Sequence, residues 1–320
     1  MVTLAPLTSA STKALATPAE AAQWLRVHVD QVKGTLRTDS RQLQTGDGFL
    51  AWPGAAADGR GFVAAALKAG AAACLVEAQN LHATTAPQDP RVGVYPGLKE
   101  ASGAIADLYF GQPSKQLDVA AVTGTNGKTS TTWWLAQALS SLQPQRPCAV
   151  AGTLGMGPVP SVNQPMALQA TGLTTPDPVT WQHALRSFVD AGYGACTVEA
   201  SSIGLAEHRM AGTHIRLAVF TNLTQDHLDY HGDMAHYWKA KKALFDWPQL
   251  KGAVVNMDDP HGAELAHELQ ARSTLLDVWT VGERTAANAA SGSAKPARLS
   301  AEQVRCSAHG MQFKVVEQHE

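Results

Sequence analysis

The sequence predicts an α/β protein of two domains, the second built on a mostly parallel sheet covered by helices. Three observations carry this. Short apolar runs alternate with stretches of helical spacing along most of the chain. A glycine loop, Gly124-Thr125-Asn126-Gly127, separates one such run from a helical stretch. Polar residues recur just after the proposed strands, at the edge where open α/β sheets bind ligands.

Bulk properties narrow the field. A length of 320 residues suits two domains. An apolar content of 45% with 16% charged residues excludes wholesale disorder, and a net charge of −2 gives no broad basic surface for nucleic acid. Cys74, Cys148, Cys196 and Cys306 lie too far apart for a C-x-x-C pair. Three of them sit in apolar strand-like runs and read as buried thiols, in keeping with a reducing cytoplasm. No apolar run reaches the ~18 residues of a membrane span, and residues 1–16 read as a loose tail without the pattern of a secretory signal. The expectation is a cytoplasmic monomer, without a membrane or nucleic-acid partner.

The first domain is expected over 1–113. Thr17, Pro18 and Glu20 read as the cap, first turn and capping box of a helix running to about Val27. Thr38-Asp39-Ser40-Arg41 follows, then a turn over 45–48, a strand over 49–52 and a loop over 54–61. A helix over 62–69 ends at Gly70. Strands over 72–76 and 91–95 and a helix over 98–110 complete a small α/β unit.

The second domain is expected over 114–320. Its strands are read at 119–122, 148–151, 195–198, 217–221 and 253–255, with helices over 130–142, 178–191 and 233–245. Residues 285–297 are rich in Ala and Ser and read as a loop, and 304–308 with 311–316 read as a hairpin around His309-Gly310. Glu199, Asn222 to His227 and Asn256 all follow strands, as the glycine loop does.

The residues at that edge suggest chemistry. Strand, glycine loop, Lys128-Thr129 and helix make a phosphate cradle: glycines admit close approach, backbone N–H groups and the helix N-terminus meet the anion, and lysine reaches the terminal phosphates. Val122 stands where the strict motif has its first glycine, and a plain surface turn fits the same residues. Glu199 can hold Mg²⁺ or serve as a capping or ion-paired carboxylate. His227 and His231, four apart, raise zinc as well as magnesium, though no further ligands stand at zinc-site spacing. At 100° per residue, Met234, Tyr237, Trp238, Leu244 and Phe245 share a helix face with Lys241 in its middle, whereas Lys239 and Lys242 point to solvent. A lysine on a buried face must be paired, neutralised or snorkelling.

TDSR (38–41), TGTNGKT (123–129), TTP (174–176), EASS (199–202), HR (208–209), TNLTQDHLDYHG (221–232), YWKAKKALF (237–245) and NMDD (256–259) together resemble the Mur ligases, ATP-dependent amide-forming enzymes of peptidoglycan synthesis. Within the family the chain is most similar to the enzymes that add a diamino acid to UDP-N-acetylmuramoyl-L-alanyl-D-glutamate. The resemblance implies an N-terminal UDP-binding domain and a central P-loop ATPase domain. It implies that Gly124, Thr125, Asn126, Gly127 and Lys128 hold the ATP phosphates. Thr129 and Glu199 would bind one Mg²⁺, with Glu199, His227 and a carbamylated Lys241 at a second. Lys128, His227 and Lys241 form the catalytic set. Asn256 would approach the adenine, Ser40 and Arg41 the uridine nucleotide, and Thr174, Thr175, Ser201 and Arg209 the muramoyl-dipeptide. The implied reaction passes through an acyl phosphate, with meso-diaminopimelate as the expected amine. Two departures stand out. Ile203 follows Ser201-Ser202 where many relatives have histidine, and no Asp-Asn-Pro-Arg of the family's third domain occurs. The chain is therefore expected to be a fragment, inactive alone. A folylpolyglutamate-synthase-like ligase and a non-catalytic nucleotide-binding module are the alternatives.

Overall fold

The computed structural model describes residues 12–29, 34–54, 57–81, 88–159, 168–272, 275–284, 297–308 and 310–318. Most of the tail expected over 1–16, nearly all of the loop expected over 285–297, and His309 of the hairpin lie outside them. The chain forms two compact units.

The first unit comprises Met1–Pro113, Asp177–Ser187 and Glu207–Thr213. In chain order it holds β1 (Lys13–Ala14), α1 (Pro18–His28), β2 (Leu36–Arg37), β3 (Gly48–Ala51), α2 (Val63–Lys68), β4 (Ala73–Glu77), β5 (Val92–Tyr95) and α3 (Leu98–Tyr109). The capping box forms as the sequence dictates: Glu20 N–H donates to Thr17 Oγ1 at 3.2 Å, and Thr17 N–H donates back to Glu20 Oε2 at 3.2 Å. The sheet runs β1-β5-β4-β3-β2, parallel throughout. Successive strand residues face opposite sides. Leu50 and Leu75 join Leu25, Leu98 and Ile105 of α1 and α3, whereas Phe49, Ala51, Cys74 and Val76 join Val63 and Ala66 of α2. The two-residue strands β1 and β2 leave too short a pattern to read from sequence.

Two segments inside the span expected for the second domain belong to this first unit, and packing explains why. Trp181 is fully buried and donates from Nε1 to Thr213 Oγ1 at 2.8 Å. Val179 joins the core with Leu98 and Ile105. A methyl added to Gly103 of α3 would sit 2.2 Å from the Ala211 carbonyl oxygen, so α3 and 207–213 pack backbone against backbone. Such sequence-distant packing leaves no local signal.

The second unit comprises Ser114–Pro176, Phe188–Ala206 and His214–Glu320. The chain continues with β6 (Asp118–Thr123), α4 (Lys128–Leu142), β7 (Cys148–Gly152), β8 (Gly155–Pro158), α5 (Pro178–Asp190), whose residues up to Ser187 belong to the first unit, β9 (Ala195–Glu199), α6 (Ser202–Ala206), β10 (Ile215–Phe220), α7 (Leu228–His231), α8 (Met234–Lys242), β11 (Gly252–Asn256), α9 (Pro260–Arg272), β12 (Asp277–Arg284), β13 (Leu299–Ser307) and β14 (Gly310–Glu317). The nine-stranded order is β14-β13-β12-β11-β10-β6-β9-β7-β8. It is parallel except for the edge pairs β13/β14 and β7/β8. All five strands expected in this region form. β8, β12 and α9 were not expected; Gly155 and Gly157 leave β8 without an apolar pattern. The hairpin strands are longer than expected.

The helix expected over 233–245 is α8 followed by a 3-10 turn, Ala243–Asp246. Asp233 caps it, accepting from His236 N–H at 2.8 Å. Pro248 ends it, because the preceding Trp247 is driven to an extended conformation (φ −64°, ψ 135°). Cys74, Cys148 and Cys196 are buried free thiols and Cys306 is an exposed one. Among the described residues no helix is long and apolar enough to cross a membrane.

Candidate active site

The site stands at the carboxyl edge of the second sheet, around β6 and its neighbours β9 and β10. These strands are in parallel register, Val122 opposite Glu199 and Val219. They therefore deliver the glycine loop, Glu199 and the 221–227 segment to one edge.

The loop is shaped by two glycines. Gly127 caps α4 in the left-handed region at φ 83°. Gly124 sits at φ 146°, and a methyl there would fall 1.8 Å from Thr221 Oγ1. The loop is laced to the segment after β10. Thr125 N–H donates to Asn222 O at 2.8 Å, Asn126 N–H to Asn222 Oδ1 at 3.0 Å, and Thr221 Oγ1 to Asn126 O at 2.7 Å. Thr125 Oγ1 also lies 3.1 Å from the Tyr237 hydroxyl and accepts from Thr224 N–H at 2.9 Å. Thr129, half-buried, stands in the first turn of α4.

Two lysines meet at one carbonyl. Lys128 Nζ donates to Gly124 O at 2.9 Å and Thr125 O at 2.8 Å. Lys241 Nζ, from α8, donates to the same Gly124 O at 2.7 Å and lies 4.4 Å from the Tyr237 ring centroid. Lys241 is 1% exposed, which excludes snorkelling. Burial, then the Lys128 charge, pull its pKa down to about 7, against a smaller opposing pull from Asp226. Burial also lowers Lys128, partly offset by Glu199 and Asp226. The helix periodicity thus placed Lys241 correctly. Lys239 is exposed, but Lys242 is not the solvated charge expected: it pairs with Glu268 of α9 at 2.5 Å. That partner was invisible because α9 was not anticipated.

Glu199 is 1% exposed at the end of β9. Its carboxylate accepts from Thr153 N–H at 2.8 Å and Thr153 Oγ1 at 3.3 Å. Thr153 Oγ1 lies 3.2 Å from Thr174 Oγ1. Thr175 Oγ1 donates to Glu199 O at 2.7 Å and lies 3.0 Å from Ser201 Oγ. Glu199, Thr174, Thr175 and Ser201 therefore form one bonded group. His227 caps α7 with φ 49°, its Nε2 3.5 Å from Asp226 Oδ2 and its ring 6.2 Å from that of Tyr237. His231 is held below its usual pKa, chiefly by burial and then by His227 and Lys241.

Other expected residues are placed differently. Asn256 ends β11, but its Nδ2 donates to Thr221 O at 2.8 Å and its Oδ1 accepts from Asp258 N–H at 3.1 Å, so both ends of the amide are engaged. Ser40, Arg41 and Arg209 belong to the first unit. There Arg41, with an 87% exposed side chain, pairs with Asp39 at 2.7 Å. Three positioning residues escaped the sequence reading: Thr153, Tyr237 and Asp259, whose Oδ2 accepts from Leu223 N–H at 2.7 Å. Tyr237 carried a signal, one helical turn before Lys241 on the same face.

The donor set fits a hard cation shared with phosphate oxygens: a carboxylate, a hydroxyl and an imidazole beside a cationic loop. Among the described residues no three His, Cys, Asp or Glu side chains gather to hold a metal.

A glycine loop and lysine between a parallel strand and a helix, at the carboxyl edge of the sheet, define a phosphate-loop protein. The chain belongs to the Mur ligase family: the Mur ligase middle domain matches residues 122–320, and the Mur ligase family catalytic domain matches 34–105. It is 52% identical over 308 residues to the UDP-N-acetylmuramoyl-L-alanyl-D-glutamate–2,6-diaminopimelate ligase of Acidovorax sp. (strain JS42), covering 95% of this chain and 57% of that protein. It is 44% identical to the protein of the same name from Janthinobacterium sp. (strain Marseille), covering 81% and 49%. A solved structure of a ligase of that name superimposes with a TM-score of 0.69 at 32% identity, covering 89% of this chain and 53% of the other. The chain spans about half the length of the curated relatives it matches.

Proposed function

We propose that the chain is the substrate- and ATP-binding part of an ATP-dependent ligase that adds meso-diaminopimelate to UDP-N-acetylmuramoyl-L-alanyl-D-glutamate in the cytoplasm. The observation that carries this reading is the meeting of Lys128 and Lys241 at the Gly124 carbonyl. Lys128 and the unmodified Lys241 amine meet at one oxygen with, among the described residues, no carboxylate in ion-pair contact, which favours an anionic ligand. Relatives of 44–52% identity bearing that ligase name supply the substrate class.

In this reading the amides of Gly124 to Thr129 and the Lys128 ammonium bind the ATP phosphates and offset charge on the transferring phosphoryl group. Mg²⁺, held by Thr129 and Glu199 with His227 and a carbamylated Lys241 nearby, supplies Lewis-acid charge when bound. Lys241 suits carbamylation because, with a pKa near 7, much of its amine is neutral and nucleophilic at physiological pH. Thr174, Thr175 and Ser201 orient the D-glutamate end of the substrate. Its carboxylate takes the γ-phosphoryl group, and the incoming amine then displaces phosphate from the acyl phosphate. Ser40 and Arg41 receive the uridine nucleotide, for which Arg41 must exchange Asp39 for the ligand. Asn256 meets the adenine only if its amide leaves Thr221; otherwise it acts by fixing the end of β10.

The test is phosphate release by the full-length enzyme on mixing ATP, Mg²⁺, UDP-muramoyl-dipeptide and diaminopimelate. Release that requires all four supports the ligase. ATP binding without release under every condition favours a nucleotide-binding module instead.

A further inference from the structure

His231 is a half-buried polar residue that the reading above leaves without work. Its Nε2 is enclosed and has no hydrogen-bond partner among the described residues. Leaving such an atom unpaired is unfavourable, so it calls for a partner. Its surroundings point to one. The imidazole lies 5.3 Å from the Tyr237 ring, and the same ring carries Lys241 Nζ at 4.4 Å. Tyr237 thus neighbours both side chains. The charges that reach His231 come from Lys241, from His227 and Asp229 on its own segment, and from His236 on α8. The Tyr237 hydroxyl is already engaged by Thr125 Oγ1 at 3.1 Å.

We propose that His231 is a positioning residue for Lys241, its Nε2–H donating a hydrogen bond to an oxygen of the carbamate that Lys241 carries. The proposal rests on the carbamylated-lysine reading. In the modification, the neutral Lys241 amine attacks the carbon of CO2, and an N–C bond forms. One C=O π pair moves onto oxygen, and one N–H proton leaves to solvent. The remaining N–H keeps its bond to Gly124 O. The product has two oxygens that share one negative charge where the amine had none, and these need donors. A neutral imidazole with its proton on Nε2 supplies one without disturbing the loop. His231 then fixes which way the carbamate faces and raises its occupancy.

The experiment equilibrates the intact chain with ¹³C-bicarbonate and reads the carbamate carbon by NMR. It compares wild type, Lys241→Arg, His231→Phe, which keeps the ring on Tyr237 but removes the donor, and His231→Gln, which restores a donor. The expected result is a wild-type signal absent from Lys241→Arg, about tenfold lower occupancy in His231→Phe, and recovery of most of it in His231→Gln. His231→Phe with wild-type occupancy overturns the proposal. So does His231→Gln as depleted as His231→Phe, which reveals a packing role alone. A wild-type spectrum identical to that of Lys241→Arg overturns the carbamylated-lysine reading itself, and this proposal with it.

Discussion

Two sets of cations, one in each unit, are handled in opposite ways. In the first, three arginines are neutralised two residues from where they stand: Arg41 by Asp39, Arg60 by Asp58 and Arg91 by Asp89, each at 2.7 Å. In each case the same aspartate also accepts the arginine backbone N–H, so one Asp-x-Arg turn satisfies charge and chain together. In the second unit, Lys128 and Lys241 are withdrawn from water and converge on a neutral carbonyl. Pairing lowers the pKa of the aspartates. Burial lowers the pKa of the lysines, with the Lys128 charge adding to it at Lys241. Local pairing makes structure, whereas cations held apart from carboxylates are a standing demand for an anion from outside.

The largest test of that contrast is to remove either lysine. Lys241→Ala should abolish ligation by the full-length enzyme, and bicarbonate should partly restore activity to a decarbamylated wild type in a steady-state assay. Lys128→Ala should lower kcat/KM by about 10²–10³-fold or more, since it withdraws charge aimed at the transferring phosphoryl group.

The same contrast has a stability side. The folded pKa of Lys241, about 7, lies below its ordinary value of 10.5. Between these values the unfolded chain binds the extra proton, so wild-type stability rises with pH across that window. Below pH 7 the full cost of burying the charge is present. Lys241→Met should therefore be more stable than wild type by up to a few kcal/mol near pH 7, the advantage shrinking towards pH 10.5. Paired denaturation curves at several pH values check this. An unchanged difference across the window would show that Lys241 does not carry that burden.

Geometry gives an intermediate effect. A methyl at Gly152 would sit 2.1 Å from Glu199 Oε1. Gly152→Ala should cost about 1–3 kcal/mol in denaturant unfolding and weaken Mg²⁺-dependent nucleotide binding by displacing the carboxylate. At the bottom of the scale, Asp58→Asn in the first unit should cost under ~1 kcal/mol, the pair being partly exposed and screened. Lys239→Ala should be nearly silent in activity. A large loss from either would erase the distinction between structural and functional cations.

How far the sequence revealed this contrast depended on range. The capping box at Thr17 and Glu20, the glycine loop and the buried setting of Lys241 are local patterns, and each was legible. Lys241 was legible because helical periodicity places its neighbours on one apolar face. What failed to show were partners set by tertiary packing. Glu268 for Lys242, Thr153 for Glu199 and Thr221 for Asn256 lie 26, 46 and 35 residues from the groups they engage. Only the assembled sheet brings such pairs together. β8 and β1 were missed for a different reason: glycine or brevity removes the alternation that marks a strand.

Trp181 carries a practical consequence for anyone who dissects this protein. Since it is fully buried in a unit whose main body ends at Pro113, a protease or a gene truncation acting at residue 113 would not release an intact module. The excised piece would lose the indole that fills its interior and expose apolar surface where Val179 and Trp181 had been. Swapping this unit between relatives therefore demands three grafts in register, and chimaeras joined at a single seam should precipitate.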